Sequence, residues 1–96
     1  SFTTKLEVEV SSLEVALAAA EQGADIVMFD NVTPSDAKEW SDLVKSRHPN
    51  ILLEVSGGIT MDNIDEYLHD NIDIVSMGAL TQQCPLVDLS MRIILE

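Results

Sequence analysis

The chain has 96 residues, of which 46% are hydrophobic, so it holds enough apolar material for one small globular unit and little room for a second. Seventeen acidic residues against five basic ones give a formal net charge of −12, which excludes the basic surface that nucleic-acid binding requires. The single cysteine, Cys84, excludes an internal disulfide framework, and no apolar run approaches the ~18 residues of a membrane span, so we predict a cytoplasmic protein.

The first predicted unit is a strand followed by a helix. Residues 5–10 alternate charged and apolar side chains, a pattern typical of a strand. Ser11 and Glu14 have the spacing of a capping box, which predicts a helix over residues 13–22. Gly23 is placed to end that helix.

The second predicted unit repeats this order. Residues 25–31 form an apolar run between polar residues, which predicts a strand buried on both faces of a parallel sheet. Thr33 and Pro34 predict the start of a helix that ends before Pro49. Its inner face is predicted to carry four residues: Ala37, Trp40, Leu43 and Val44.

The third and fourth units follow without a visible linker. Residues 51–55 predict a buried strand, residues 56–58 a tight turn, and Thr60 the cap of a third helix. The inner face of that helix is predicted to carry Met61, Ile64, Tyr67 and Leu68. Residues 73–77 predict a fourth strand that ends at Gly78.

The C-terminal tail fits either a strand or a helix, and we predict a strand from the alternation of apolar residues between 87 and 95. Strands that alternate with helices predict an α/β fold with a parallel sheet. Four consecutive βα units are half of an eight-unit barrel, so we predict an open, incomplete TIM-like α/β barrel. Because such a sheet leaves open edges, and because the first residue is Ser1, residues 1–96 are interpreted as a fragment of a longer protein.

Candidate site residues follow the predicted strands. In α/β folds the functional groups collect at the carboxyl ends of the strands, which here are Glu9, Asp30, residues 56–58 and Gly78. Adjacent glycines let a backbone approach a ligand, and the N-terminus of a following helix favours a phosphate. Gly78, one unit later, can supply further amides. The alternative that these glycines only form tight turns stays open.

Glu9 and Asp30 are predicted at the ends of neighbouring strands. Two carboxylates there can accept hydrogen bonds from the hydroxyls of a ribose or share a magnesium ion that carries a diphosphate. The alternative is that both are solvated surface acids, as most acids in so acidic a chain are expected to be. Asp30 is the stronger candidate because it ends a wholly apolar run.

A resemblance to a known family rests on segments that occur in order along the chain: KLEVEVSSLEVALAAAEQGADIVMFDNV, LLEVSGGITMDNIDEY and IDIVSMGALTQQCPLVDLSM. They resemble quinolinate phosphoribosyltransferases over nearly the whole chain. The chain departs from the family at Phe29, where leucine is usual, and at Gln82, where many members have histidine. The resemblance implies a transferase of NAD biosynthesis that moves phosphoribose from phosphoribosyl diphosphate to quinolinate and releases diphosphate and CO2, with Mg²⁺. It also implies an open barrel domain whose tail, residues 79–96, partly returns to a smaller sandwich domain.

The resemblance carries specific roles onto this sequence. The family's ribose-binding and catalytic acids fall on Glu9 and Asp30, which are also the candidate magnesium ligands. Its 5′-phosphate ligands fall on Ser56, Gly57, Gly58 and Gly78. The implied partners are the two small-molecule substrates, the rest of the same enzyme, and further copies in a homo-oligomer. Neither a nucleic acid nor a membrane is implied.

Cations are missing from the predicted rim. Quinolinate and phosphoribosyl diphosphate are polyanions, so their binding needs several Arg, Lys or His donors. In the family these lie upstream of this segment or on a partner subunit. His48 and His69 are expected at helix ends, and Cys84 as a small half-buried residue. We therefore predict that these 96 residues alone are inactive.

Two other functions stay open. A related phosphoribosyltransferase for nicotinate or another heteroaromatic acid would share all of these features, because the acceptor pocket lies outside this segment. A non-catalytic fragment that self-associates through its open sheet edges would share the fold alone.

Overall fold

The computed structural model of the chain describes residues 5–80 and 88–94. These form five strands, two α-helices and one turn of 3-10 helix. In chain order the elements are β1 (Glu7–Val10), α1 (Leu13–Glu21), β2 (Ile26–Asp30), α2 (Pro34–Arg47), β3 (Leu52–Ser56), the 3-10 helix (Ile64–Tyr67), β4 (Ile74–Leu80) and β5 (Asp88–Ile94).

The strands form one sheet in the order β1-β2-β3-β4-β5, with parallel pairing from β1 to β4 and antiparallel pairing between β4 and β5. This confirms the predicted α/β fold with an open sheet, and it confirms a strand in the tail at residues 88–94. The rest of the tail, including Cys84, lies outside the described residues.

Both helices begin at side-chain caps. The Ser12 hydroxyl accepts a hydrogen bond from the backbone N–H of Val15 at 3.3 Å, so the cap of α1 is Ser12 and the prediction of Ser11 was wrong by one residue. The Thr33 hydroxyl accepts from Asp36 N–H at 3.1 Å, as predicted. Gly23 follows α1 with φ +96°, the left-handed conformation expected after a helix end.

The prediction of a third helix was wrong. Only Ile64–Tyr67 is helical, as one 3-10 turn, and Met61 and Leu68 are 74% and 46% exposed instead of facing inward. The physical reason is the side chain of Asn63, which accepts from Thr60 N–H at 2.8 Å and donates to the Gly58 carbonyl at 2.9 Å. These local hydrogen bonds close a loop where an α-helix would have begun.

The core lies between one face of the sheet and the two helices. Its largest fully buried side chains include Phe29 and Leu53, and the Phe29 ring meets the ring of Trp40 edge-on at 5.6 Å. The opposite face of β2 is only half-buried, so the expectation that this strand is buried on both faces was wrong. Asp30 lies on that half-buried face, where the candidate site is formed.

Candidate functional site

The candidate site begins where β1, β2 and β3 end side by side. Asp30 is the last residue of β2, and its register partner on β3 is Ser56. Glu9 pairs with Met28, one position before the end of β1. Because side chains alternate between the faces of a sheet, Glu9, Asp30 and Ser56 share the face that points away from the helices. The structure thus brings these three predicted site residues together at one edge.

A loop of three residues, Ser56, Gly57 and Gly58, continues from β3 at this edge and is called the glycine loop below. Both glycines have left-handed backbones, with φ of +85° and +72°. The loop lines a cavity of about 310 Å³ that also involves Ile59, Thr60, Ser76 and Met77. This cavity is large enough for a phosphate group. The two glycines that border it have no side chains, so they present only backbone atoms to it.

The two glycines of the loop are required for different reasons. A Cβ added at Gly57 would lie 2.5 Å from Asn31 Oδ1 and 2.9 Å from Asn31 N, so packing against Asn31 excludes any side chain. A Cβ added at Gly58 would meet nothing within 4 Å. Close packing against Asn31 therefore accounts for glycine at position 57, whereas at Gly58 the space beside the backbone is open.

Two details of the predicted phosphate site were wrong. The expected helix N-terminus after the glycine loop is absent from the described residues, since the 3-10 helix starts only at Ile64. Gly78 does not end the fourth strand, because β4 runs on to Leu80 and Gly78 pairs with Ser90 of β5. Pairing with the returning strand β5 extends β4 five residues beyond Val75, the last β4 residue that pairs with β3. Gly78 thus lies in the part of β4 that projects past the last β3 partner.

Sequence reasoning missed Glu54. This residue lies on β3 two positions before Ser56, is only 2% exposed, and accepts a hydrogen bond from the hydroxyl of Ser76. Ser76 also lines the cavity at the glycine loop. A lone charged residue inside an apolar strand was the available signal, because a carboxylate is rarely fully buried unless it has partners.

Basic side chains lie away from the glycine loop in the part of the chain whose side chains the structure describes. Lys38 pairs with Asp42 at 3.0 Å and Lys45 with Asp73 at 2.8 Å. Lys5, Arg47 and His48 line a separate cavity together with residues that start β3. None of these basic side chains lines the cavity at the glycine loop.

Shifts of pKa also occur away from the edge. Hydrogen bonds from the Asn71 amide and from Lys38 lower the pKa of Asp42 below its usual value. Burial of Tyr67, whose hydroxyl donates to the Val32 carbonyl at 2.8 Å, raises the pKa of that phenol. His69 lies beyond the 3-10 helix, and its Nε2 is buried without a hydrogen-bond partner among the described residues. None of these three residues lines the cavity at the glycine loop.

A metal at this edge would depend on few protein ligands. Among the described residues no group of three or more His, Cys, Asp or Glu is arranged to hold a metal ion. Glu9 and Asp30 offer two carboxylates on one face of neighbouring strands. Magnesium is commonly held by one or two carboxylates together with substrate phosphates and water, so these two residues suit an ion that arrives with a phosphorylated substrate.

The sequence that carries the two acids and the glycine loop matches a known protein family. Residues 1–92 match the sequence model described as "Quinolinate phosphoribosyl transferase, C-terminal domain". The chain belongs to this family. As a quinolinate phosphoribosyl transferase C-terminal domain, it carries its two candidate acids and its glycine loop within the matched region.

Full-length relatives of this phosphoribosyl transferase domain come from distant organisms. Nicotinate-nucleotide pyrophosphorylase [carboxylating] of Rattus norvegicus is 45% identical over 95 residues, covering 99% of this chain and 32% of the relative. The protein of the same name from Dictyostelium discoideum is 48% identical over 92 residues, covering 96% and 31%. A probable nicotinate-nucleotide pyrophosphorylase [carboxylating] of Methanocaldococcus jannaschii is 46% identical over 98 residues, covering 98% and 35%.

The chain spans about a third of the length of these curated relatives. Within the described residues, neither α-helix has the length and apolar character to cross a bilayer.

Proposed function

We propose that this domain is the part of a phosphoribosyltransferase that binds the phosphoribose, in an enzyme that transfers it from phosphoribosyl diphosphate to quinolinate. The products would be nicotinate mononucleotide, diphosphate and CO2, as a step of NAD biosynthesis. The single observation that carries the proposal is the pairing of Asp30 with Ser56 at the edge where the glycine loop begins. Family membership and the names of the relatives support the choice of reaction.

The spacing of these groups suits a ribose 5-phosphate unit. Neighbouring strands lie about 4.8 Å apart, which is comparable with the size of a furanose ring. With the 5′-phosphate in the cavity of the glycine loop, the ring hydroxyls would reach Asp30, and Glu9 would approach from the next strand. Both carboxylates would stabilise positive charge that develops on the ring as diphosphate leaves.

Magnesium would belong to the substrate complex. Glu9 and Asp30 would hold the ion, which neutralises charge on the diphosphate when it is bound. Donors for the two carboxylates of quinolinate, and for the leaving diphosphate, would come from protein outside these residues or from a second subunit of a homo-oligomer. We accordingly expect the 96 residues alone to be inactive, while the natural protein that contains them is active.

The test uses that natural protein, expressed in full, with phosphoribosyl diphosphate, Mg²⁺ and quinolinate. Asp30→Asn removes one candidate ribose ligand with little change in volume, and Glu39→Gln is the matched control because Glu39 is an exposed acid of α2. We expect Asp30→Asn to lower kcat/KM about a hundredfold or more, as typical for loss of one electrostatic group at a reacting centre, and Glu39→Gln to leave it unchanged. Equal activity of the two variants would refute the assignment of Asp30. Turnover with nicotinate in place of quinolinate would favour the alternative acceptor.

A further inference from the structure

Asn31 has an unusual backbone next to the glycine loop. It follows Asp30 directly and has φ +55°, and within the described residues it is the one position other than glycine with positive φ. Asparagine tolerates this left-handed conformation better than most residues, yet it still costs more there than glycine would. Position 31 thus carries a side chain although glycine would adopt this backbone conformation at lower cost.

That residue contacts the glycine loop in two ways. Its backbone N–H donates to the Ser56 carbonyl at 2.9 Å, which continues the pairing of β2 with β3 past the last strand residues. Its side-chain oxygen and Cγ occupy the space beside Gly57, where a Cβ would lie 2.5 Å and 3.0 Å away from them. Asn31 thus links the end of β2 to the first glycine of the loop.

We propose that Asn31 is a positioning residue that sets the separation between the Asp30 carboxylate and the glycine loop. This inference rests on the proposed function. A ribose 5-phosphate is a compact ligand, so its ring hydroxyls and its phosphate cannot both be bound well unless Asp30 and the loop keep a fixed separation. The backbone hydrogen bond fixes the height of the loop along β2, and the amide side chain fixes how closely Gly57 approaches. Misplacement of a bound substrate by about 1 Å can cost about a hundredfold in rate.

The variant that isolates the side chain is Asn31→Gly. Glycine keeps the left-handed backbone and the N–H that donates to Ser56, and it removes only the group packed beside Gly57. In the natural full-length protein we expect the KM for phosphoribosyl diphosphate to rise and kcat to fall, with kcat/KM lower by about tenfold to a hundredfold. The KM for quinolinate is expected to stay within about twofold of the unaltered enzyme, because Asn31 does not contact the acceptor in this assignment.

Two further variants separate positioning from stability. Asn71→Ala removes an asparagine whose amide donates to Asp42 at 2.7 Å, remote from the glycine loop, and it should leave both KM values unchanged. Asn31→Asp keeps the size of the side chain and its tolerance of positive φ, so it should recover most of the loss seen with glycine once high salt screens its added charge.

The outcomes are distinguishable. An unaltered enzyme that does not turn over quinolinate would refute the proposed function. An active enzyme in which Asn31→Gly leaves the KM for phosphoribosyl diphosphate unchanged would overturn the role of Asn31 alone. Loss of cooperative unfolding in Asn31→Gly, or a KM for Asn31→Asp at high salt as poor as that of the glycine variant, would also overturn it.

Discussion

Substitution of alanine for each of three glycines provides a graded test of the packing at the candidate site. Gly23, Gly57 and Gly58 all have left-handed backbones, with φ of +96°, +85° and +72°. An L-residue in this conformation costs about 1–2 kcal/mol, so that penalty is shared by all three variants. At Gly57 alone of the three, the new Cβ would also lie within 3.0 Å of atoms of Asn31.

The additional cost at Gly57 follows from overpacking. The backbone and the side chain of Asn31 must both move to admit the methyl group. Such overpacking lowers the free energy of unfolding by about a further 1–3 kcal/mol. Gly57→Ala should therefore lower the free energy of unfolding by about 2–5 kcal/mol, against about 1–2 kcal/mol for Gly23→Ala and Gly58→Ala. The assay is urea unfolding of the natural full-length protein, followed by the intrinsic fluorescence of Trp40, which packs on Phe29 in this domain.

The enzymatic activity of the same three variants provides a second measurement. Gly58→Ala places a methyl group in the open space beside the loop, so it should impair binding of phosphoribosyl diphosphate despite its modest effect on stability. Gly57→Ala should impair both properties, and Gly23→Ala should leave activity unchanged because it lies at the end of α1. Equal losses of stability in all three variants would refute the packing argument for Gly57.

Three further predictions concern groups that the structure shows to be buried or hydrogen-bonded. Glu54→Ala leaves the hydroxyl of Ser76 without its acceptor and should lower the free energy of unfolding by about 1–3 kcal/mol, whereas Glu54→Gln should lose less; urea unfolding measures both. Tyr67→Phe leaves the buried Val32 carbonyl without its donor and should cost about 1–3 kcal/mol while kcat/KM stays unchanged. Because the folded-state pKa of Asp42 is lowered, its contribution to stability is present above the usual carboxyl pKa of about 4 and is lost as pH falls below that value. The stability difference between the unaltered protein and Asp42→Ala should therefore shrink from pH 7 towards pH 2, and a constant difference would contradict the assignment.

Local patterns in the sequence were sufficient to predict the elements at the carboxyl edge of β2. An apolar run that ends in Asp30, followed by Thr33 and Pro34, predicts a strand, a turn and a helix start without help from distant residues. The parallel pairing of Asp30 with Ser56 then follows from the regular alternation of strands and helices. The strand, the turn and the helix start could be predicted because each depends on neighbours in the chain, and Asp30 and Ser56 could be placed at one edge because both end strands of a parallel sheet.

Features that depend on distant residues could not be predicted in the same way. Gly78 lies inside β4 because the returning strand β5 pairs along its whole length, and the local sequence does not indicate where that pairing stops. Glu54 is buried because it meets Ser76 of the next strand, 22 residues further along. The missing third helix has a local cause instead: the Asn63 amide donates to the Gly58 carbonyl, a competing hydrogen bond that an amphipathic pattern does not reveal.

The most direct test is to follow quinolinate labelled at its 2-carboxyl carbon, the group that nicotinate lacks, in the natural full-length protein with phosphoribosyl diphosphate and Mg²⁺. We expect labelled CO2, diphosphate and nicotinate mononucleotide to form in equal amounts, and Asp30→Asn to lower the rate of formation of all three by about a hundredfold or more. Release of diphosphate without CO2, or full activity of Asp30→Asn, would contradict the proposal that this edge of the sheet binds the phosphoribose for transfer to quinolinate.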